Sequence, residues 1–303
     1  MRIIFIGNPE FAVASLKKMH ENRLDIVAVI TGPDKPAGRG LKVQFSPVKE
    51  YALQHHLKIL QPEKLKDPEF IATLRALQPD LGVVIAFRML PEVVWNLPQL
   101  GTINLHASLL PQYRGAAPIN WAIINGEKET GLSTFFLKQE IDTGNIIFSE
   151  KISIADDETA GELHNRMMNI GAALVLQTIQ AIESNSFPET PQPMFAKLKL
   201  APKIFKPDGV LDFSKDVNEV YNKIRGLSPY PAASTILGGK VFRIFSATKE
   251  SVNHTYRFGS YIKEKHGLKV AVGNGFIHLV EVQLEGKKRM GIAEFLNGNS
   301  ELF

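Results

Sequence analysis

Residues Met1-Arg-Ile-Ile-Phe-Ile-Gly-Asn-Pro9 combine an uninterrupted apolar run with a turn. Because Ile3 to Ile6 has no polar residue on either face, the run predicts a strand that is covered on both sides, as in a parallel sheet. Gly7 and Asn8 turn the chain, and Pro9 suits the first position of a helix. The apolar residues that follow recur at roughly helical spacing: Phe11, Val13, Leu16 and Met19. The sequence therefore predicts a buried strand followed directly by a helix.

The alternation of strand and helix continues through the first half of the chain. Further strand-like runs lie at residues 25–30, 57–60, 81–86, 101–108, 131–137 and 145–154. Ser46 and Asp67 each precede a proline and a helical stretch, which is the pattern of a helix N-cap. This rhythm predicts an α/β fold with a Rossmann-like parallel sheet, whose ligands lie beyond the carboxyl ends of the strands.

The second half of the chain has a different character. A helix is predicted around residues 216–225. Strand-like runs follow it at residues 232–237, 240–245, 268–272 and 276–280. Gly238-Gly239 and Asn274-Gly275 have the composition of tight hairpin turns. These features predict a small β-barrel of the OB-like, oligonucleotide-binding type.

Charge is distributed unevenly along the 303 residues. Residues 197–303 contain 17 Lys and Arg against 10 Asp and Glu, a net +7, and because the whole chain carries +4, residues 1–196 carry −3. A basic second part favours contact with a polyanion, although a lysine-rich surface also serves solubility. We expect a catalytic domain at 1–188, a linker at 189–207 and a C-terminal β-barrel at 208–303.

Composition excludes several classes of function. The chain has no cysteine, which excludes disulfides, thiolate catalysis and cysteine-ligated metal clusters. The histidines are scattered and Asp156-Asp157 has no nearby partner, so we expect no metal site. The longest apolar runs, such as residues 81–87, are too short to span a bilayer, and residues 1–7 lack the features of a signal peptide. We expect a cytoplasmic monomer without a membrane partner.

The candidate chemistry lies in the stretch Gly101-Thr-Ile-Asn-Leu-His-Ala-Ser108 and in Asp142-Thr-Gly144. Side chains alternate faces along a strand, so Asn104 and His106 point the same way. An amide beside an imidazole is suited to polarising a carbonyl oxygen and handling a proton, and Asp142 would hold the imidazole in place. The pattern predicts acyl transfer without a covalent nucleophile. Read singly, His106 could be a core histidine and Asp142 a turn residue.

Five motifs connect these residues to a known family. They are His106-Ala-Ser-Leu-Leu-Pro111, Tyr113-Arg-Gly-Ala-Ala-Pro118, Asp142-Thr-Gly144, Lys35-Pro-Ala-Gly-Arg-Gly40, and Lys203 to Gly209 before Leu211-Asp-Phe213. Through them the chain resembles, over nearly its whole length, the formyltransferases that use 10-formyltetrahydrofolate. The loop with Gly38-Arg-Gly40 and the C-terminal domain narrow the resemblance to the methionyl-tRNA formyltransferases, which act in translation initiation.

The resemblance implies a reaction and a cofactor site. Asn104, His106 and Asp142 would be the catalytic residues, and the formyl donor would be 10-formyltetrahydrofolate, with no metal. The expected cofactor-binding residues are Ser108, Leu109, Leu110, Pro111, Phe87, Arg88, Met89, Leu90, Gln139 and Ile141. Many members of the family carry Tyr-Gly where this chain has Phe87-Arg88, and the arginine adds bulk and charge near the cofactor entrance.

The resemblance also implies that the acceptor is methionine esterified to initiator tRNA. The segment of residues 32–46 is long for a strand-to-helix connection, and it is basic and rich in glycine. Lys35, Arg39 and Lys42 are expected to contact the acceptor stem there. The expected tRNA-binding residues of the second domain are Lys203, Lys206, Lys240 and Arg243.

Other functions remain open at this point. A glycinamide ribonucleotide formyltransferase and a formyltetrahydrofolate hydrolase are less favoured, because neither explains residues 209–303. A nucleotide-sugar N-formyltransferase is similar in length and catalytic residues, but its small acceptor gains nothing from a basic loop and a basic barrel. A non-catalytic RNA-binding protein built on an inactive enzyme is the alternative from another class. The presence of Asn104, His106 and Asp142 together argues against it.

Overall fold

The structure, a computed structural model, describes residues 1–37, 42–193, 197–265, 267–299 and 302. The chain forms two compact units, each built from several stretches of sequence. The first unit comprises Met1–Arg114, Gly131–Ile152 and His164–Leu198. The second unit comprises Gly115–Thr130, Ser153–Leu163 and Lys199–Phe303.

Helices and strands follow one another along the whole chain. The elements up to the long sixth helix are β1 (Arg2–Gly7), α1 (Glu10–Glu21), β2 (Asp25–Ile30), β3 (Lys35–Ala37), β4 (Lys42–Gln44), α2 (Pro47–Gln54), β5 (Ile59–Leu60), α3 (Pro68–Ala76), β6 (Leu81–Ile85), α4 (Glu92–Trp95), β7 (Thr102–His106), β8 (Arg114–Gly115), α5 (Pro118–Ile124), β9 (Glu129–Phe136), β10 (Ile146–Ser153) and α6 (Ala160–Glu183). The later elements are β11 (Leu200–Ala201), a 3₁₀ turn (Lys206–Gly209), α7 (Val217–Leu227), β12 (Ala233–Leu237), β13 (Lys240–Ser251), β14 (Tyr261–Lys263), β15 (Leu268–Val272), β16 (Gly275–Leu284), β17 (Met290–Gly291) and α8 (Ile292–Asn297).

The first unit contains the predicted Rossmann-like sheet. Its strand order among the described residues is β10-β9-β7-β6-β1-β2-β5, and the pairs from β7 to β5 are parallel. All four residues from Ile3 to Ile6 are fully buried, which confirms a strand covered on both faces. The order of connections reverses between β1 and β6, and the crevice at such a switch point is the usual ligand site of an open α/β sheet.

One edge of this sheet departs from the parallel arrangement, a detail that the sequence does not predict. β9 runs antiparallel to β7, with Ile103 opposite Phe136 and His106 opposite Ser133. The helix between these two strands, α5, belongs to the second unit and does not return the chain to the starting edge of the sheet. A buried strand is an apolar run whether it pairs parallel or antiparallel with its neighbour. The sequence pattern therefore does not distinguish the two directions of β9.

Helices cover the sheet, and two of them begin where their caps predict. The Ser46 side chain accepts a hydrogen bond from the Lys49 amide at 3.1 Å, and the Asp67 carboxylate accepts one from the Glu69 amide at 2.8 Å. α3 contributes to a buried cluster with the sheet, formed by Ile4, Ile6, Ala28, Ile30, Leu65, Phe70, Ile71, Leu74, Val84, Leu90 and Val94. α6 approaches the sheet closely, because a Cβ on Gly171 would lie 2.7 Å from Leu105 Cδ2.

Residues 35–37 and 42–44 form two paired strands, where the sequence predicts a plain loop. β3 and β4 pair antiparallel, with Lys35 opposite Gln44 and Ala37 opposite Lys42. Arg39 lies outside the described residues.

The ends of this hairpin are fixed to the sheet by side chains. The Asn8 side-chain oxygen Oδ1 accepts hydrogen bonds from the Thr31 hydroxyl and the Gly32 amide, both at 2.7 Å. Asp34 accepts hydrogen bonds from Lys49 at 2.5 Å and from Gln61 at 2.9 Å. These two hydrogen bonds, that of Lys49 first, hold the pKa of Asp34 below its ordinary value. The stem of the hairpin is therefore anchored at the carboxyl ends of β1 and β2.

The second unit contains an antiparallel sheet that is consistent with the predicted small barrel. The strand order is β12-β13-β16-β15-β14, and β17 pairs with β16. β12 and β13 are joined by Gly238 and Gly239, both at positive φ, as a tight hairpin requires. Phe242, Phe245 and Phe276 are buried, at most 8% exposed, and Phe242 belongs to the main hydrophobic cluster of this unit.

α7 lies against this sheet, and it begins directly after Asp216, where the sequence predicts the start of a helix. Asp216 accepts a hydrogen bond from the Asn218 amide at 2.7 Å, and Glu219 reaches back to the Asp216 amide at 3.3 Å. Within the same unit α5 packs closely on α7, because a Cβ on Gly226 would lie 2.6 Å from Ile124 Cγ1.

The two units differ from the contiguous domains that the sequence predicts. Residues 115–130 and 153–163 group with the second unit, since α5 packs on α7, and the units change at Leu198 and Lys199. Part of the predicted linker is ordered, since Thr190 bridges to Ile146 and β11 is a short strand. The division at 188 and 208 remains a prediction. No helix among the described residues has both the length and the apolar character needed to cross a membrane.

Candidate active site

The two polar residues of β7 share one face of the first unit's sheet. β7 lies between β6 and β9, and Asn104 is in register with Val84 of β6. Val84 belongs to the buried cluster that also contains Leu90 and packs against Phe87. Leu105 points to the opposite face, where it meets α6 at Gly171. Asn104 and His106 therefore face the side on which the loop after β6 lies, as their spacing predicts.

His106 is oriented by a main-chain group. Its imidazole is 6% exposed, and Nε2 lies 2.8 Å from the carbonyl oxygen of Tyr113. A carbonyl oxygen only accepts, so Nε2 carries a proton and Nδ1 is the nitrogen left for other chemistry. Nδ1 faces the Asp142 carboxylate, with Oδ2 at 3.8 Å. The tautomer is thus fixed from the Tyr113 side, and the carboxylate lies at the edge of the ring where a proton can be gained or lost.

Asp142 reaches His106 through a bent loop. Because β9 is antiparallel to β7, Phe136 ends beside Ile103, and residues 137–145 return toward His106. Asp142 has φ of +54°, a conformation that costs most residues about 1 kcal/mol but that Asp tolerates. Gly144 admits no side chain, since a Cβ would lie 1.6 Å from the Phe136 carbonyl oxygen. The Asp142 side chain is only 11% exposed, so the loop presents it to the imidazole rather than to solvent.

Asn104 offers an amide that is available to a ligand. Its side chain is half-buried, and among the described residues none makes a hydrogen bond to it. A half-buried amide with both donors and its acceptor unused is suited to bind a polar group that approaches along this face. Asn104, His106 Nδ1 and Asp142 together can stabilise an oxyanion and transfer a proton.

The turn after β7 is closed by its own polar groups. Ser108 is fully buried and its hydroxyl donates to the Gln112 carbonyl at 2.6 Å. Ser133 of β9 donates to the Ser108 carbonyl at 2.8 Å and accepts from the Leu110 amide at 3.2 Å. The Leu110-Pro111 peptide is cis. The predicted cofactor-binding segment 108–111 is therefore a rigid turn, in which the Ser108 hydroxyl points inward.

The loop after β6 is the second predicted cofactor segment. Ala86 has φ of +48°, and Phe87 and Leu90 turn inward to the buried cluster. Arg88 donates to the carbonyls of Glu63 and Pro62 at 2.9 and 2.6 Å, so its guanidinium is tied to the chain after β5. Met89 is 74% exposed.

The loop before Asp142 carries the remaining predicted cofactor residues. Gln139 is exposed, and Ile141 is 58% exposed. Large apolar side chains left in solvent on two loops of one unit, Met89 and Ile141, are suited to cover an apolar part of a ligand.

The predicted tRNA-binding residues lie in both units. Lys35 and Lys42 are on the strands of the β3–β4 hairpin. Lys203 is exposed and lies over the Phe205 ring at 5.3 Å, and Lys206 begins the 3₁₀ turn. Lys240 is exposed at the start of β13, whereas Arg243, on the same strand, is half-buried.

Metal-ligating side chains do not gather among the described residues. No group of three His, Asp or Glu side chains there is placed to hold an ion. Asp156 forms an ion pair with Lys128 at 2.5 Å, and this hydrogen bond lowers the pKa of the carboxyl group.

Sequence reasoning missed the group that orients His106. Tyr113 acts through its carbonyl, and a main-chain group carries no residue-type signal in a sequence. It also missed Gln192, whose side-chain amide donates to the carbonyls of Asp142 and Gly144 at 2.7 and 2.9 Å. Gln192 lies between Pro191 and Pro193, and the second proline favours an extended backbone at Gln192. This is the one local signal that could have drawn attention to the residue.

The chain matches known proteins along nearly its whole length. A model of the formyl transferase family matches residues 1–179, and a model of the formyl transferase C-terminal domain matches residues 203–300. The chain is 52% identical over 307 residues to the methionyl-tRNA formyltransferase of Bacteroides fragilis strain ATCC 25285, covering 98% of this chain and 95% of the relative. It is 51% identical over 302 residues to that of Flavobacterium johnsoniae, covering 98% and 96%.

The fold is also similar to that of a solved relative. The crystal structure of an N-formyltransferase from Helicobacter canadensis with folinic acid and dTDP-3-aminofucose has a TM-score of 0.67 and 23% identity, covering 92% of this chain and 98% of that one. At that identity the likeness concerns the fold alone. With both family models matched and half of its residues shared with curated relatives over nearly the full length, the chain belongs to the formyl transferase family, in the branch of the methionyl-tRNA formyltransferases.

Proposed function

We propose that this chain transfers the formyl group of 10-formyltetrahydrofolate to the α-amino group of methionyl-initiator tRNA, giving formylmethionyl-tRNA for translation initiation. The observation that carries the proposal is the convergence of Asn104, His106 and Asp142 on one face of β7, in a chain half identical to methionyl-tRNA formyltransferases. A role in translation is consistent with the cytoplasmic location expected from the sequence.

The described residues fit a folate donor. The unused amide of Asn104 suits a polar group, and Met89 and Ile141 offer apolar surface on loops of the same unit. Main-chain groups of residues 86–91 and 139–143 would hold the pterin, and the turn at 108–111 would border it. The tie of Arg88 to the carbonyls of Pro62 and Glu63 supports this assignment, because it directs the charge away from the loop itself.

Each catalytic residue has a distinct task in this proposal. The donor supplies an activated one-carbon unit on N10. The Asn104 amide and His106 Nδ1 donate hydrogen bonds to its carbonyl oxygen as negative charge develops, and each such donor contributes about 3 kcal/mol. Asp142 keeps His106 oriented, stabilises its positive charge and accepts the proton that the attacking amine releases. The new amide bond forms as the bond to N10 breaks, and the same proton is passed to that nitrogen.

The acceptor is recognised by basic residues on both units. Lys35, Arg39 and Lys42 are proposed to contact the acceptor stem, and Lys203, Lys206, Lys240 and Arg243 to contact phosphates elsewhere on the tRNA. The exposure of Lys203 and Lys240 and the net +7 of residues 197–303 support this division of tasks.

A competition between acceptors tests the proposal. Purified protein receives donor with a labelled formyl group together with methionyl-tRNA, a nucleotide-linked 4-amino sugar, or water alone. We expect label in methionyl-tRNA and only background in the other two reactions. Transfer to the sugar nucleotide in preference to tRNA would instead establish a nucleotide-sugar N-formyltransferase, and release of formate alone would establish a hydrolase.

A further inference from the structure

A single side chain clamps the loop that carries Asp142. The side-chain nitrogen of Gln192, Nε2, carries two hydrogens. It donates to two carbonyl oxygens, that of Asp142 at 2.7 Å and that of Gly144 at 2.9 Å. These carbonyls lie on either side of Thr143, so the amide closes the turn from outside. The contacts are to main chain, and they would persist whatever side chain residue 142 carried.

Arg114 fixes the orientation of this amide. The Gln192 Oε1 atom accepts from Arg114 Nη2 at 2.6 Å and from Arg114 Nε at 3.2 Å. Guanidinium nitrogens only donate, so Oε1 must face them, and the amide nitrogen must face the carbonyls. Reversing the amide would oppose donors to donors at one end and acceptors to acceptors at the other. The pair therefore has one arrangement.

The main chain on both sides of the clamp is also held. Thr190 exchanges two hydrogen bonds with Ile146, at 2.8 and 2.9 Å, so the segment before Gln192 lies along the edge strand β10. Arg114 directly follows Tyr113, whose carbonyl orients His106. The clamp thus joins the segment that orients the imidazole to the loop that carries the carboxylate.

We propose that Gln192, oriented by Arg114, is a positioning residue of the formyl transfer reaction, and that it holds the Asp142 carboxylate against Nδ1 of His106. The expected effect on kcat rests on the proposed function. The expected effect on the Asp142 loop rests on geometry alone. Without the clamp, the loop loses two hydrogen bonds next to a residue at positive φ and Asp142 leaves its place beside the imidazole.

Kinetics of a Gln192→Leu variant test the proposal. We expect kcat to fall about tenfold to 100-fold with both KM values within about twofold, because a displacement of a reacting group by about 1 Å costs on the order of 100-fold. Gln192→Glu is the second variant, similar in size. It keeps an acceptor for Arg114 but places an oxygen against the two carbonyls, so we expect the same loss.

The Asp142→Asn background separates positioning from general damage. If Gln192 acts through Asp142, adding Gln192→Leu to Asp142→Asn lowers kcat by no more than about twofold further, since coupled residues are not additive. Glu189→Ala is the matched control, because its carboxylate accepts from Asn145 at 3.1 Å on the same segment without touching residues 142 or 144. We expect near-normal kcat for that control. A loss in the Asp142→Asn background as large as in the native one overturns the proposal.

Amide hydrogen exchange tests the clamp independently of activity. Peptides that cover residues 138–144, and so exclude Asn145, should exchange faster in Gln192→Leu and Gln192→Glu than in the native protein, and at the native rate in Glu189→Ala. Unchanged exchange in both Gln192 variants overturns the clamp. If the native protein transferred no formyl group to methionyl-tRNA, the proposed function would fail, and the exchange result would still decide whether Gln192 fixes the loop.

Discussion

The imidazole of His106 is held by a carbonyl on one side and faces a carboxylate on the other. The 2.8 Å contact to Tyr113 leaves Nδ1 as the reactive nitrogen, at 3.8 Å from Asp142. That separation is longer than a hydrogen bond but within reach of an ion pair. The imidazole and the carboxylate therefore face each other without a direct hydrogen bond between them.

Removal of either reactive group should leave a folded, nearly inactive protein. We expect His106→Ala to lower kcat by about 10²–10⁴-fold, the usual contribution of a general acid or base. Asn104→Ala should cost about 10²–10³-fold, as for loss of an oxyanion donor. Initial rates with methionyl-tRNA, together with circular dichroism, measure both effects. Turnover near the native rate in either variant would remove that residue from its assigned role.

Gly144 is predicted to be intolerant of the smallest side chain. A Cβ there would lie 1.6 Å from the Phe136 carbonyl oxygen, so Gly144→Ala must displace the loop and with it Asp142. We expect a loss of about 1–3 kcal/mol in stability, the usual range for overpacking, and a clear fall in kcat. Gly298→Ala is the control, because an added Cβ meets nothing within 4 Å and φ is −102° there. Denaturant unfolding and initial rates compare the two variants, and equal behaviour would contradict the steric argument.

At the scale of elements, the caps are where sequence and structure agree in detail. Ser46, Asp67 and Asp216 each begin the predicted helix with a side chain that accepts a main-chain hydrogen bond. Such bonds involve residues two or three apart, so the sequence contains everything needed to predict them. The direction of β9 could not be predicted in this way, because it depends on where α5 packs, and that helix belongs to the other unit.

The residues of the candidate site also differ in whether the local sequence predicts them. Asn104 and His106 follow from strand alternation and a motif, and their shared face was predicted correctly. The Tyr113 carbonyl is a main-chain group, which has no residue-type signal in a sequence. Gln192 acts on a residue 50 positions away, and its flanking prolines are its only local signal. The catalytic roles themselves stay predictions until the variants are measured.

The cap of α7 offers a test of stability against pH. The hydrogen bond from the Asn218 amide holds the pKa of Asp216 below the ordinary value of an aspartate. A lowered pKa in the folded state means that the stabilisation is complete well above pH 3.8 and is lost as the pH falls through the lower, folded-state pKa. Asp216→Ala should cost about 1 kcal/mol at neutral pH.

Urea unfolding at several pH values measures this difference. The gap between the native protein and Asp216→Ala should narrow as the pH falls below 3.8. Asp25→Ala is the control, because Asp25 faces Arg2 at 4.0 Å on an exposed surface and such pairs contribute little. A gap that stays constant into acid would mean that the carboxylate is not the cap.

At the scale of the whole molecule, the net positive charge of residues 197–303 predicts that binding of the acceptor depends on salt. If several phosphates are neutralised, the KM for methionyl-tRNA should rise steeply with salt, with a log–log slope of about 0.7–0.9 per phosphate. The KM for the folate donor should change little. Lys203→Gln combined with Lys206→Gln should reduce the slope by about 2. Lys58→Gln, an exposed lysine of the first unit, is the matched control. A flat salt dependence would argue for a small acceptor.

The clamp on the Asp142 loop has a consequence for how the enzyme is made. Gln192 lies 50 residues after Asp142, and it lies beyond residue 179, where the match to the N-terminal family model ends. When Asn104, His106 and Asp142 have just emerged from the ribosome, the nascent chain therefore already contains all three reactive groups. The Asp142 carboxylate is not yet anchored at that point. Maturation of the site must wait for the segment from Thr190 to Gln192 to emerge and dock on the edge strand. Nascent chains arrested on either side of that segment should differ in turnover, although they share every reactive side chain.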